Sequence, residues 1–431
     1  MMTWQDYGKA RDKAAFLHAL MEAHEAGEEV KTARVADLYD RRRNVTINEF
    51  VRKVYTLSGM PVADYTAGGS RIASNFFARL NTQRAVYSLG NGVTFADPET
   101  GRRLGGDFDT RLFEAGRLAL IHGTSFLFLN VEGVSVFPLT GFAPLWDEET
   151  GELRAGLRYW RLDERRPVRA VFYGEDGRQT LFEGPGGFLP AGRKQAYRRT
   201  VQLLPDGGER VIAEENYAAL PVVPLFGSRY RQSTLVGMRQ AIDSFDLIRS
   251  GFADDLSDCA QIYWLLENAG ELSDEELARF RDRLKFQHIA AADTGAEGRI
   301  TPYTQEVPYE ARMAYLDHMR RGIYEDFGAL DVSQLSSSSR TATEIQAAYQ
   351  PLDEQADDFE YQVIECVRRL LALLGIEDTP VFKRNRMTNQ KEQAEMVLLE
   401  AAHLDEETLL AKLPNITKDE VPEILKRRKL K

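Results

Sequence analysis

Six histidines, His18, His24, His122, His288, His318 and His403, are scattered through the 431 residues, about one to an element. His18 and His24 stand six apart, which turns them to different sides of a helix, and no HExxH pair occurs, so no metal site is expected. The two cysteines, Cys259 and Cys366, have no Cys or His at metal-ligand spacing and are too few for a disulfide framework. Each reads as a small buried hydrophobe. There is no GxSxG elbow, no GxxxxGK(S/T) phosphate loop and no kinase set, so nucleophilic, nucleotide-hydrolysing and phosphoryl-transfer chemistry lack their local signatures. Gly90, Gly92, Gly184, Gly186 and Gly187 never form a dinucleotide fingerprint and read as turn glycines. The expectation is no catalytic residue and no cofactor.

Charge is the more informative chemistry. Sixty-six acidic against 55 basic side chains give a net charge of −11, which disfavours a protein that holds DNA by neutralising its phosphates. A carboxylate pair for acid and base work could be assembled in space from so many acids, but no spacing singles one out, and solvated helix faces are the ordinary reading. Two basic clusters, Arg161, Arg165, Arg166 and Arg169, then Arg193, Lys194, Arg198 and Arg199, read as surface solubility or inter-subunit salt bridges, with contact to an anionic partner as the other reading.

The elements that must position these groups follow from composition and pattern. The length corresponds to about three structural units, and 43% hydrophobic with 28% charged residues describes a folded chain. No stretch reaches the roughly 18 uncharged apolar residues of a spanning helix, and the start, MMTWQDYGKARDKAAF, lacks a signal-peptide pattern, so no membrane partner is expected.

Residues 1 to about 85 read as mostly helical, with Leu17, Leu20 and Met21, then Phe50, Val51, Val54 and Tyr55, at three-and-four spacing, and Arg41 to Arg43 at a helix end. Residues 85 to 223 switch to short β-branched and aromatic runs around one helix near Phe108 to His122. These include a hairpin from Ser125 to Phe137 turning at Glu132-Gly133, and strands at Tyr159 to Leu162 and Val168 to Tyr173, the second ending in the turn Gly174 to Gly177.

A long amphipathic helix then carries Leu235, Met238, Ile242, Phe245, Ile248, Phe252, Leu256, Cys259 and Tyr263, with Asp243, Asp246, Asp254 and Asp258 on other faces. A small α/β module follows: a capping box at Ser273 to Glu276 opens a helix to about Lys285, and strands are expected at Phe286 to Ala292 and Arg299 to Tyr303. Helix resumes from Tyr309 to Phe327. A polar loop, Gly328 to Arg340, leads into a second long helix from Ala342 to Leu374, bent where Pro351 removes a donor. Further helical patterns at Lys391 to Ala402 and Glu406 to Leu413, a capping box at Thr417 to Glu420 and a basic tail complete the chain. The fold class is α+β.

From about Asn48 to Glu423 the chain resembles the portal proteins of tailed double-stranded DNA bacteriophages, in the long-tailed branch. An ordered series carries the resemblance. It runs through Asn48-Glu-Phe-Val-Arg-Lys-Val, Tyr87-Ser-Leu-Gly-Asn-Gly-Val-Thr-Phe95, Leu120-Ile-His-Gly-Thr-Ser-Phe126 and Leu220-Pro-Val-Val-Pro-Leu. It continues with Ala241-Ile-Asp-Ser-Phe-Asp246, Ser339-Arg-Thr-Ala-Thr-Glu-Ile345 and Leu404-Asp-Glu-Glu-Thr-Leu-Leu410 with Pro414 and Asp419-Glu420. Gly92 stands where the family commonly has proline, and the C-terminal part is compact.

The resemblance implies a portal fold. Residues 1–225 would be a wing, 226–266 and 309–328 helices of a stem, and 267–308 a small α/β clip between them. Residues 329–341 would be a tunnel loop, 342–375 a long kinked helix and 376–431 a helical crown. About twelve copies would form a ring at one capsid vertex of the virion, assembled in the host cytoplasm, through which double-stranded DNA passes without sequence recognition. The implied partners are the terminase large subunit, a head-tail connector or adaptor protein, and the major capsid and scaffold proteins. The loop Asp331, Val332, Ser333, Gln334, Leu335, Ser336, Ser337, Ser338, Ser339 and Arg340 would meet DNA, and Asp243, Asp246, Asp254 and Asp258 are candidates to line the channel, where negative charge repels phosphates. The alternative is a carboxylate-dependent hydrolase built on the 85–223 sheet domain.

Overall fold

The computed structural model describes residues 2–51, 53–55, 59–63, 69–163, 165–203, 209–259, 263–267, 275, 278–279, 299–303, 308–335, 342–385, 397, 399, 401, 405–412, 421 and 424–426. Helices and antiparallel strands gather into two units. One is formed by Met1–Asp37, Arg79–Val236 and Gly328–Lys431, the other by Leu38–Ala78 and Gly237–Phe327. Chain order alone groups residues 38–78 with the wing, whereas the structure groups them with 237–327.

The first unit begins with helices α1 (Trp4–Lys9), α2 (Lys13–Glu25) and most of α3 (Glu28–Arg42), and continues with α5 (Phe76–Leu89), α6 (Pro98–Leu104) and α7 (Phe108–His122). α7 ends as expected at His122, where Gly123 takes φ 89°. The expected hairpin forms from β4 (Thr124–Asn130) and β5 (Gly133–Pro138), with Gly133 at φ 137° in its turn, a conformation that disfavours a side chain. β13 (Val222–Phe226) pairs with the other edge of β4.

A five-stranded antiparallel meander follows the hairpin. It is made of β6 (Phe142–Trp146), β7 (Leu153–Trp160), β8 (Arg169–Gly174), β9 (Gly177–Gly184) and β10 (Gly187–Pro190). The expected turn at Gly174 to Gly177 joins β8 to β9. Strand alternation divides its side chains between two cores. Phe142 and Tyr173 join Phe126, Phe128, Leu112 and Ala119, while Ala143, Leu145, Leu157 and Phe172 pack under Leu17, Leu20 and Met21 of α2.

A ribbon of β11 (Arg198–Leu203) and β12 (Glu209–Glu215) is a separate pair, and β3 (Val93–Thr94) pairs with β16 (Val381–Phe382). The long helix α11 (Ala342–Leu373) lays Phe359, Val363, Cys366, Val367 and Leu370 into the larger core. α7 can approach it closely because residue 116 is glycine. A Cβ there would stand 2.6 Å from Leu89 Cδ1 and 3.0 Å from Phe359 Cζ. α11 runs on through Pro351, which leaves the carbonyl of Ala347 without its in-helix donor. Cys366 is buried, which pushes its thiol up to about 12. The C-terminal helix α12 spans Glu406–Lys412.

His24 of α2 illustrates how the smaller core is closed. Its Nδ1 lies 2.9 Å from the Tyr159 hydroxyl, and burial, helped by the nearby charge of Arg34, pushes the imidazole down from 6.5 to about 4. Between those two values the unfolded chain binds a proton that the folded chain refuses, so stability falls as pH drops from 6.5 toward 4. The loss amounts to at most about 3 kcal/mol. His24→Gln should flatten this part of the profile. The check is the difference in urea midpoint between pH 7 and pH 4.5, compared in the two proteins, and equal differences would exclude the mechanism.

In the second unit two expectations change. Phe50, Val51, Val54 and Tyr55 follow helical spacing, yet only α4 (Thr46–Glu49) is helical there. The chain then forms a hairpin of β1 (Lys53–Tyr55) and β2 (Pro61–Ala63). β-branched and aromatic residues ahead of Gly59 and Pro61 favour the pleated form, and four residues are too few for the helical period to decide. Likewise α8 spans Leu235–Cys259 and stops short of Tyr263, because Tyr263–Glu267 forms strand β14 against β15 (Arg299–Tyr303).

Arg299 to Tyr303 is therefore a strand as expected, with a partner from the far side of the module. The expected strand at Phe286 to Ala292 lies outside the described residues. Glu275, Ala278 and Arg279, within the expected capped helix, are helical. α9 (Tyr309–Phe327) returns with Leu316, Ile323, Tyr324 and Phe327 buried. Of the C-terminal patterns, Val397 and Leu399 are helical within Lys391 to Ala402, and Thr417 to Glu420 lies outside the described residues.

Candidate functional site

The acids nominated for a channel lining lie on α8, and the structure gives three of them partners inside their own unit. Asp246 is fully buried. Its carboxylate accepts Asn44 Nδ2 at 2.9 Å and both the backbone N–H and the hydroxyl of Ser74 at 3.0 Å. Asp254 accepts the Ser70 N–H at 3.0 Å, and between them the Ser250 hydroxyl accepts the Ile72 N–H at 3.0 Å.

The spacing explains the match. Residues two apart on an extended chain are about 6.6 Å apart, and residues four apart on a helix about 6 Å. N–H groups at 70, 72 and 74 thus meet side chains at 254, 250 and 246 in a side-chain ladder. Asp243, one turn earlier, accepts the Tyr39 hydroxyl and stands 3.6 Å from Arg239 Nε. Burial and the bond to Asp243 push Tyr39 up to about 12.

Asp246, nominated as a channel-lining group, is a carboxylate with no exposure and three donors of its own chain, and so organises the fold of this unit. Burial raises its pKa, and the donors from Ser74 and Asn44 hold that rise in check. Asp243 and Asp254 are half-buried and similarly engaged, and the side chain of Asp258 lies outside the described residues.

The nominated DNA-contacting loop is anchored in the first unit. Gly328 ends α9 at φ 63°, where a Cβ would stand 2.6 Å from Gln355 Cγ. The Gln83 amide then holds both backbone groups of Leu330, its Nε2 donating to the carbonyl at 2.9 Å and its Oε1 accepting the N–H at 3.0 Å. Leu330 packs with Tyr87, Tyr349, Leu352 and Ala356. Asp331 is buried and accepts the Ser333 N–H at 3.1 Å and its hydroxyl at 2.7 Å. The chain then forms a helical turn, α10 (Val332–Leu335), where an irregular polar loop was expected. Ser336, Ser337, Ser338, Ser339 and Arg340 lie outside the described residues.

Comparison with known proteins identifies the family to which the chain belongs. The family model for phage portal proteins, SPP1 Gp6-like, matches residues 33–430. The chain belongs to this portal family. The portal protein of Clostridium phage phiCD119 is 25% identical over 196 residues, 44% of this chain and 44% of that protein. The portal protein of Bacillus phage SPP1 is 21% identical over 328 residues, 72% of this chain and 63% of that protein. The matches thus span less than two thirds of these relatives' lengths. Among solved structures, a chain from the neck of a native gene transfer agent particle, computed with C12 symmetry, aligns at TM-score 0.44 and 12% identity. That alignment covers 79% of this chain and 90% of that one. A chain from the virion of a native gene transfer agent particle aligns at TM-score 0.43 and 10% identity, over 92% and 98%.

In this portal-family chain two acids of the sheet region, Asp147 and Glu183, are shifted away from what a general acid needs. Backbone N–H donors from Thr150 and Glu149 hold Asp147 below the usual carboxylate range, and the Val168 N–H does the same for Glu183. A general acid at neutral pH requires the opposite shift. Among the described residues no group of three or more His, Cys, Asp or Glu side chains could hold a metal ion.

The sequence reading missed the Arg384 cluster of the portal chain. Arg384 reaches Asp353 at 2.7 Å, Glu360 at 3.0 Å, and Asp357, so one guanidinium meets three carboxylates on α11, and these bonds raise its pKa further. Tyr87 donates to the same Asp353 at 2.6 Å, and the Asn385 N–H bonds the Tyr87 carbonyl at 2.9 Å. The acids stand at 353, 357 and 360, a legible helical stripe, but nothing in the pattern points to an arginine 24 residues downstream of Glu360.

Proposed function

We propose that the chain assembles as a ring of about twelve copies at one vertex of a phage capsid, and that viral DNA is packaged and ejected through the ring's channel. The family match across residues 33–430 carries this reading. The net charge of −11 supports it, because a conduit must let phosphates slide where a basic lining would hold them by counterion release.

Within the ring, α8 and α9 are read as stem helices. Their common unit, with the β14–β15 pair falling between them in sequence, supports a clip at 267–308 that meets the terminase large subunit and the head-tail connector protein. Residues 329–341 are read as the tunnel loop, in keeping with the firm anchoring of its first half by Gln83 and Asp331. Major capsid and scaffold proteins would meet the rest of the ring, which is assembled in the host cytoplasm.

Native mass measurement on the purified chain should show closed rings of about twelve. A profile of monomers alone would overturn the proposal. Rings lacking residues 267–308 should lose terminase and connector binding, and retained binding would move the docking surface off the clip.

A further inference from the structure

We propose that one row of the meander, Trp160, Arg169, Phe182 and Leu189, is the basic half of a contact between neighbouring copies of this chain, and that it takes the acidic surface of the next copy. The inference rests on the ring reading and names a contact that holds the ring together. The four residues are register partners across β7, β8, β9 and β10, so they stand on one face of the sheet. Further along the same face Gly156 pairs with Tyr173, which is sunk in the larger core, while Tyr159, Ala170 and Leu181 turn to the opposite face with α2. The row thus shares its face with the larger core but lies beyond the core's end. Phe182 and Leu189 are 37% and 52% exposed there, and Leu162 of the adjoining loop is 56% exposed.

The arginines of this region divide into two sets. Arg161 reaches Glu183 at 3.4 Å and Arg166 reaches Asp163 at 3.1 Å, so both are answered inside the chain. Arg158, Arg165 and Arg169 have no carboxylate partner among the described residues. Arg158 is half-buried, 4.3 Å from the centre of the Phe137 ring and 5.2 Å from that of Trp160, and it donates to the Tyr173 hydroxyl. Arg169 lies 5.7 Å over the Phe182 ring. Five arginines from Arg158 to Arg169 face three acids, Asp163, Glu164 and Glu183, so a positive excess survives the internal pairs. In the second basic cluster, by contrast, Glu214 answers Arg193 and Arg199, and Asp176 answers Lys194.

Ring geometry and charge choose the occupant. A guanidinium laid on an aromatic ring keeps its edge donors for carboxylates, while a ring so covered is a poor platform for a stacked base. Copies that each carry −11 repel one another unless a positive patch of one meets the acids of the next. A ring joins different patches of its neighbours, head to tail, so a basic row on one side needs no basic row opposite. Trp and Arg beside exposed leucines supply the apolar and charged anchors of such a contact.

The experiment uses the full chain at one protein and salt concentration, scored by native mass for ring fraction and by far-ultraviolet circular dichroism for folding. A wild-type chain that forms no rings overturns the ring reading, and this contact with it. Arg169→Glu combined with Leu189→Asp should keep the wild-type spectrum and weaken each subunit contact by about tenfold or more, converting rings to folded monomers. Rings at the wild-type level in this folded variant would overturn the contact while leaving the ring reading intact. Should that variant lose its spectrum, a milder pair decides. Arg165→Gln with Arg169→Gln should lower the ring fraction. Arg193→Gln with Lys194→Gln changes the net charge equally and should leave it unchanged. Equal loss in the two pairs would make general repulsion the cause and overturn the row as a docking surface.

Discussion

Asp246→Ala is expected to cost roughly 3–5 kcal/mol of unfolding free energy, the largest loss from any single acid on α8. Removing the carboxylate deprives the Ser74 N–H, the Ser74 hydroxyl and the Asn44 amide of their acceptor in a site with no access to water. Each orphaned donor is worth about 1–3 kcal/mol, and the three are close enough that their losses will not add in full. Asp254→Ala removes one backbone partner at a half-buried position and should cost about 1 kcal/mol. The urea midpoint of each variant, at one fixed protein concentration because assembly shifts apparent stability, gives the comparison. A loss below about 1 kcal/mol for Asp246→Ala would mean that the ladder does not organise this unit. A variant that unfolds easily yet passes DNA normally once assembled would confirm that Asp246 has no role at the channel.

The ladder also shows where sequence reasoning reaches and where it stops. The 3.6-residue period of α8 is written in Leu235, Met238, Ile242 and Phe245, and its buried side follows directly. The polar stripe Asp246, Ser250, Asp254 is equally regular, but regularity does not say whether a stripe faces water or another strand of the same chain. That depends on residues 70–74, which have no pattern of their own and lie 172 to 184 positions away. The same limit governs Tyr263. It fits the helical period of α8, and only its pairing with Tyr303 reveals a strand. The sheet region was legible because its turns carry their own chemistry: Gly133 and Gly177 sit at φ 137° and 124°. The family resemblance reached further than the local patterns because it rests on an ordered series of short matches across most of the chain.

Replacing Ser336 to Ser339 with arginine is expected to leave ring assembly intact and to stall DNA packaging. This follows if the segment between Leu335 and Ala342 faces the channel. The anchoring at its start, through Gly328, the Gln83 clamp on Leu330 and the Asp331 cap, fixes the residues from which the segment departs. In the native sequence the serines are small and neutral, and Arg340 is the one positive group from Asp331 to Arg340. Four arginines per copy, repeated around about twelve copies, would surround the duplex with dozens of guanidinium groups. Every phosphate so neutralised adds about 0.9 to the slope of log affinity against log salt, so even a handful of contacts changes a sliding fit into binding. The stall should therefore weaken steeply between low and high salt, which a purely steric block would not do. Ser336 to Ser339 changed to alanine keeps the size and neutrality and should package at the normal rate. If the arginine variant packages as fast and as far as the native chain at low salt, the segment lies away from the channel. A stall that ignores salt would replace electrostatic capture with steric obstruction as its cause.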